Sequence, residues 1–434
     1  MKRLFFSSVL LSLLINSYSQ EQPALKLTPS QFEALFLQQN LQLIAEKMNV
    51  DIADAAILQA KLWDNPEITI SSVNLWSTEN QRDGEKEMIP PLFGSFARNT
   101  QFTVELSQLI QTANKRAKLV RMEQVAKDIT IQVFEDVLRG LKVELRKTIY
   151  EAIHIQSYLK ILQLQTESLE RLINTYRRLV LEGNMARSEL LRLQSSLLEV
   201  ENEMNESLVL QNEFQKTLKT LINVDPFSII AFEIDSDYVA LPAPKDFSLP
   251  NLLNRSLDNR PDIKIQQLTT RYYEKSVVYE KSLRVPDLTF NANYDRYGGV
   301  WKDYLGAGFS VGIPVWNRNQ GNIKASRFLS EQSRYLEEQQ IKLAQNEIIE
   351  AYENYRQAHL FFTKIKNDDF LSEMDKMLDA YEKNLINKNL SMLEFIDFMS
   401  TFRTNKQLEL ESEKKVRLTH EELLYRTGIM NYEL

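Results

Sequence analysis

The sequence predicts a mainly α-helical, internally duplicated chain in which each copy joins a pair of short strands to a long helical hairpin. Three observations predict it. No proline occurs from Leu92 to Asp225 or from Val315 to the C-terminus, so nothing interrupts two very long helical blocks, where each interior proline would cost about 3 kcal/mol. Just ahead of the second block, Leu305, Ala307, Phe309, Val311, Ile313 and Val315 alternate with Gly306, Gly308, Ser310, Gly312 and Pro314, the two-residue period of a strand. The same order of elements also stands ahead of the first block.

The chain opens with Met1-Lys2-Arg3, an apolar run Leu4–Ile15, and small residues at Ser17 and Ser19. These are the three parts of a secretory signal, expected over residues 1–19. No other run approaches the roughly 20 apolar residues of a membrane-spanning helix. The net charge of −7 becomes more negative once Lys2 and Arg3 are removed, which argues against a nucleic-acid partner. With no cysteine, a disulfide framework is impossible, and 11 Gly and 12 Pro are few for the loops of a multidomain enzyme of this size. The sequence contains no phosphate-binding glycine loop, zinc-ligand motif or nucleophile elbow. Neither catalysis nor a cofactor is expected.

The first repeat is expected over residues 20–246: strands at about 67–77 and 100–112, a helical hairpin over 113–224 and a linker over 225–246. Phe102, Val104 and Leu106 alternate with Thr103, Glu105 and Ser107. The earlier strand loses phase at Ser71-Ser72. Ile155, Leu159, Leu162, Thr166, Leu169, Ile173, Tyr176 and Val180 form a coiled-coil seam. After a break at Glu182-Gly183-Asn184, a second seam runs through Leu190, Leu193, Leu197, Val200, Met204, Phe214, Leu218 and Leu221, with Ser207 and Gln211 as polar interruptions. Gly183 marks the hairpin tip.

The second repeat is expected over 247–434, with strands at about 287–297 and 303–316 and a hairpin over 321–430. A shift of 220 places Asn65-Pro66-Glu67 on Val285-Pro286-Asp287. A shift of 205 superposes Asn114 on Asn319, Tyr150 on Tyr355, His154 on His359, Tyr176 on Tyr381, Asn184 on Asn389 and Glu189 on Glu394. Leu360, Leu371, Met374, Leu378, Tyr381 and Leu385 continue the seam, interrupted by Lys364 and Asn367. Trp76, Tyr294, Tyr297, Trp301, Tyr304 and Trp316 lie in or beside the strands, as an interfacial aromatic girdle requires. Four strands cannot close on themselves in lipid, because their edge N–H and C=O groups would go unpaired. Oligomerisation is therefore expected.

Two stretches carry a family resemblance. Val104-Glu105-Leu106-Ser107-Gln108 through Lys115-Arg116, and Ile313-Pro314-Val315-Trp316-Asn317-Arg318-Asn319-Gln320-Gly321-Asn322, resemble the two strand-to-helix junctions of the TolC-like outer-membrane efflux proteins. The second is similar to the branch that includes CzcC-like heavy-metal efflux channels. The first departs from the family at Leu109, where proline is usual, and at Ala113-Asn114, where two glycines are usual.

The resemblance implies a homotrimer whose long helices form an α-barrel tunnel in the periplasm, joined to a 12-stranded β-barrel in the outer membrane, four strands per chain. It further implies a passive exit duct for solutes such as heavy-metal cations or drugs. The implied partners are a periplasmic adaptor and an inner-membrane pump of the resistance-nodulation-division type. The competing expectation is a soluble periplasmic coiled-coil adaptor or scaffold.

By the same resemblance, Glu394 and Asp397 are the periplasmic gate, since carboxylates three residues apart share a helix face. Gly183, Asn184, Ser188, Asn389 and Ser391 mark the adaptor-docking tips. His154 and His359, at equivalent positions, could place six imidazoles at one height in a trimer. Neither has a second ligand at metal-site spacing, so no metal site is assigned. Met374, Met377, Met392 and Met399 read as core filling rather than copper ligands.

Overall fold

The computed structural model describes residues 25–74, 101–232, 241–297 and 301–429. Its elements are β1 (Leu25–Leu27), α1 (Pro29–Gln39), α2 (Leu41–Lys61), β2 (Glu67–Asn74), β3 (Gln101–Ile110), α3 (Lys115–Leu181), α4 (Arg187–Ile222), β4 (Ile230–Phe232), α5 (Leu249–Asn259), α6 (Pro261–Ser282), β5 (Leu288–Tyr297), β6 (Lys302–Val311), α7 (Gln320–Lys366), α8 (Phe370–Ile386) and α9 (Met392–Thr427). At 67 residues, α3 is about 100 Å long, given a rise of 1.5 Å per residue. Among the described residues no helix is long and apolar enough to cross a membrane. The chain divides into two compact units.

One unit, residues 48–133 and 262–340, holds a four-stranded antiparallel sheet in the order β2-β3-β5-β6. Ile68 faces Leu106, Leu106 faces Ala292, and Ala292 faces Ala307, so the two repeats each supply a strand pair to one continuous sheet. The register of β2 shifts between Ser71 and Asn74, and Ser72 takes a left-handed φ of 53°. The lost alternation at Ser71-Ser72 is therefore a β-bulge.

The other unit, residues 1–47, 134–261 and 341–434, is built on helix seams. Tyr158, Leu162, Leu169, Leu172, Ile173 and Tyr176 of α3 pack with Leu193 and Val200 of α4, Met374 and Leu385 of α8, and Phe395, Phe398 and Phe402 of α9. Two further cores lie beyond that bundle. Phe32, Phe36, Leu145, Ile149 and Leu218 gather around the parallel β1–β4 pair. Phe247 and Leu252 lie on Ile348, Tyr355, Leu423 and Leu424. The linker residues Pro244–Phe247 thus become a belt against the helices, with Tyr355 donating to the Pro242 carbonyl at 2.5 Å.

The duplication is visible in the helix ends. α3 and α8 end at Leu181 and Ile386, α4 and α9 begin at Arg187 and Met392 and end at Ile222 and Thr427, each pair at the same offset of 205. Asn114 and Asn319 share a left-handed backbone, with φ of 54° and 55°.

Several expected limits shift. β6 stops at Val311 rather than 316, because Val311 pairs with Leu288 at the start of β5 and Pro314 has no N–H to continue a ladder. β3 stops at Ile110 because the Thr112 amide donates instead to the Asp287 carboxylate, at 2.8 Å. The helices start at Lys115 and Gln320 after the left-handed turns. The second hairpin carries an additional break between α7 and α8, where Asp368 accepts from the Phe370 amide at 3.1 Å. Leu360, expected on the seam, is 59% exposed in the protomer. The signal region, Trp76, the end of the first strand, residue 100, part of the linker (233–240) and the tail after 429 lie outside the described residues.

Candidate functional site

Residues directly opposite one another in an antiparallel sheet share a face, so the pairings sort the side chains of the wall. One face carries Ile68, Ile70, Val104, Leu106, Phe290, Ala292, Tyr294, Leu305, Ala307, Phe309 and Val311, with Gln108 as a polar exception at its helix-side end. The other carries Glu67, Thr69, Thr103, Glu105, Ser107, Thr289, Asn291, Asn293, Asp295, Tyr304, Gly306, Gly308 and Ser310, with Leu109 as an apolar exception. The apolar face is uncovered: Leu305 is 78% exposed and Phe309 71%. That much apolar surface in water costs roughly 25 cal/mol per Å², which a lipid environment removes. The outer edges of β2 and β6 have no strand partner among the described residues.

Side chains fix the strand-to-helix junctions. In the first, Lys115 pairs with Asp287 at 2.7 Å, and Thr112 donates to the Pro286 carbonyl at 2.5 Å. In the second, Asn319 donates to both the carbonyl and the carboxylate of Glu280, at 2.9 and 2.6 Å. Trp301 and Trp316 are exposed, while Tyr294 donates to Asp303 at 2.7 Å.

At the far end of the hairpins the two tips are built alike. Gly183 and Lys388 take left-handed φ of 76° and 60°. The amides of Asn184 and Asn389 reach back to the carbonyls of Leu179 and Asn384, at 2.8 and 2.9 Å. This is a Schellman closure. The Lys388 ammonium donates to the Asn184 carbonyl at 3.5 Å, which sets the tips side by side. Gly183, Asn184, Ser188, Asn389 and Ser391 are all exposed.

This arrangement of duplicated strands and hairpins has solved counterparts. The channel CusC shares 16% identity and a TM-score of 0.71 over 95% of each chain. The CmeC outer membrane channel of Campylobacter jejuni shares 13% identity and a TM-score of 0.73, covering 94% of this chain and 87% of that one. The MtrE outer membrane channel of Neisseria gonorrhoeae shares 13% and 0.67, covering 92% and 88%. No curated protein matches at a significant level. Residues 34–224 match the family model described as outer membrane efflux protein.

At 13–16% identity, these likenesses show that the chain shares the fold of those channels. Its gate candidates sit in the first turns of α9, both exposed on one face. Glu394 is tied into a capping box: its carboxylate accepts from the Ser391 amide and hydroxyl at 2.9 and 2.7 Å, while Ser391 Oγ accepts from the Glu394 amide at 3.3 Å. These hydrogen bonds from Ser391 hold the Glu394 carboxyl below its ordinary pKa, so it stays ionised.

The two equivalent histidines have different surroundings. His154 is buried, stacks on Tyr158 and lies 3.1 Å from Glu411. His359 is half-buried beside Tyr355 and Thr363. Burial lowers the pKa of both, and no group of three or more metal-ligating side chains forms among the described residues. Met374, Met392 and Met399 are core residues, whereas Met377 is exposed.

Two features escape the sequence pattern. One is an ionic belt in which Arg146 bridges Glu33 at 3.0 Å and the fully buried Glu421 at 3.1 Å. The other is Trp63, which precedes β2 and lies under the Arg116 guanidinium. Neither has a periodic signal, because each joins residues distant in sequence.

Proposed function

We propose that three copies close their sheets edge to edge into a twelve-stranded barrel continuous with a helical tunnel, as the exit duct of a tripartite efflux system. The observation that carries this reading is the four-stranded sheet with one apolar face, one polar face and two open edges. β2 and β6 run in opposite directions, so β6 of one copy meets β2 of the next as another antiparallel pair. Two copies would give eight strands, an interior filled by its own side chains, whereas twelve leave a passage. The polar face then lines the passage. Between the Glu67–Ser107 and Asp295–Tyr304 pairs it bears Glu67, Glu105 and Asp295 and no Lys or Arg, which favours cationic and uncharged solutes.

The exposed tips dock a periplasmic adaptor, and an inner-membrane pump of the resistance-nodulation-division type supplies the energy, since a passive duct supplies none. Threefold symmetry gathers Glu394 and Asp397 of each copy around the axis as a gate. Photocrosslinkers at Gly183, Ser188, Asn389 and Ser391 test the docking: capture of the adaptor is expected, and adaptor contacts found only elsewhere refute it.

A further inference from the structure

A cavity of about 510 Å³ lies at the helix-side end of the sheet, lined by Lys61, Trp63, Gln111, Asn114, Arg116 and Arg121 among others. Lys61 ends α2, Trp63 stands just before β2, Gln111 follows β3, and the two arginines lie at the start of α3. The half-buried Arg116 guanidinium is held 3.7 Å from the centroid of the Trp63 ring, an orienting cation–π contact. None of the three cations forms an ion pair among the described residues. The nearby Asp64 carboxylate is instead engaged by the Gln111 amide at 3.0 Å. Three cations around one concavity, none of them paired with a carboxylate among the described residues, form an anion site.

Its height says which anion. β3 has ten residues, about 34 Å along the strand at 3.4 Å each, which a tilt of about 45° reduces to roughly 24 Å, the height of an outer-membrane apolar band. The end of β3 at Ile110 therefore falls at the lipid headgroups of the periplasmic leaflet. Trp63 and Trp316 are both exposed at that end, as headgroup-level tryptophans are. The second repeat has Gly321 and Ser326 where the first has Arg116 and Arg121, so the site occurs once per chain.

We propose that Lys61, Arg116 and Arg121, with Trp63 as a platform, bind the phosphate of a phospholipid headgroup and fix the depth of the wall in the membrane. The proposal rests on the sheet being a membrane wall. The cavity falls within the size range of small-molecule sites, and basic pockets at this level recognise lipid phosphates.

The test is native mass spectrometry of the full chain in neutral detergent, titrated separately with short-chain phosphatidylglycerol, inorganic phosphate, and a short-chain diacylglycerol without phosphate. Saturable phosphatidylglycerol binding is expected, weakened about fivefold by Arg121→Gln and about 25-fold by Arg116→Gln with Arg121→Gln, taking about fivefold per near-surface cation. Arg178→Gln at the hairpin tip leaves it unchanged. Arg121 is exposed, so its replacement reports on binding without disturbing the fold. Equal binding by wild type and double variant overturns the site. Inorganic phosphate binding as tightly as the lipid makes it a free-anion site, and diacylglycerol binding equally well removes the phosphate from recognition. If instead the wild type does not fractionate with membranes, the wall reading itself fails, a separate outcome.

Discussion

Leu305→Arg distinguishes a lipid-facing wall from a sheet in water. Leu305 lies on the apolar face of β6, opposite Tyr294, and is 78% exposed. Because so little of it packs on the protomer, its replacement in water falls within the ±0.5 kcal/mol of an ordinary surface substitution. In a bilayer the outcome depends on depth. Leu305 stands three residues beyond the strand start at Lys302, about 7 Å in height for a strand tilted at about 45°, so it lies about 5 Å from the middle of a 25 Å apolar band. Arginine at the midplane costs about 2–4 kcal/mol, and the lower end applies here: about 2 kcal/mol, nearly thirtyfold in the folding equilibrium. Urea-induced unfolding in phospholipid vesicles measures it, with Ser310→Arg on the opposite face as the control expected near zero. Equal effects of the two substitutions, or a Leu305→Arg change below 0.5 kcal/mol, refute the assignment of faces.

The ionic belt gives a second test. Arg146→Met takes a cation from the fully buried Glu421 while leaving its hydrogen bond from the Tyr150 hydroxyl at 3.1 Å, so the loss should fall at the lower end of the 3–5 kcal/mol of a broken buried pair, about 3 kcal/mol; adding Glu421→Gln should restore part of the loss in denaturant melts. The pH dependence follows from His420, which burial, with Arg146 and Arg417 contributing, lowers from 6.5 to about 4. Neutral in the fold and protonated when unfolded, it leaves stability intact above pH 6.5 and drains about 3 kcal/mol as the pH falls towards 4. His420→Gln should flatten melting curves across that window, and an unchanged slope contradicts the assignment. At the first tip, Gly183→Ala meets no atom within 4 Å but must hold φ at 76°; a thermal melt should show a loss of about 1 kcal/mol. For the gate, Glu394→Gln, which keeps the hydrogen-bonding shape, combined with Asp397→Asn should raise single-channel conductance and weaken cation selectivity in planar bilayers, whereas unchanged recordings remove both residues from the gate.

Periodicity made most of the fold legible. The heptad seams placed Leu162, Leu169, Tyr176, Leu193 and Leu218 in the core, because each pattern is written within one helix. Alternation gave the faces of β6, and the phase loss at Ser71-Ser72 located the bulge. Strand ends were less legible: Leu305 to Val315 alternate without a break, yet pairing ends at Val311 because the partner strand begins at Leu288. The break between α7 and α8 was visible only as polar residues at seam positions. Leu360 fits the period but is exposed in the protomer, since a seam does not specify what covers it. The cations around Trp63 and the bridge through Arg146 join segments far apart in the chain, which no local pattern reports.

The central claim is that open sheet edges are closed by sister copies. The chain has no cysteine, so Thr69→Cys on the β2 edge and Ser310→Cys on the β6 edge can be introduced together and oxidised in native membranes. Closure predicts a ladder that ends at three times the mass of the single chain. Uncrosslinked single chains, a stop at two copies, or a ladder that continues beyond three would contradict it.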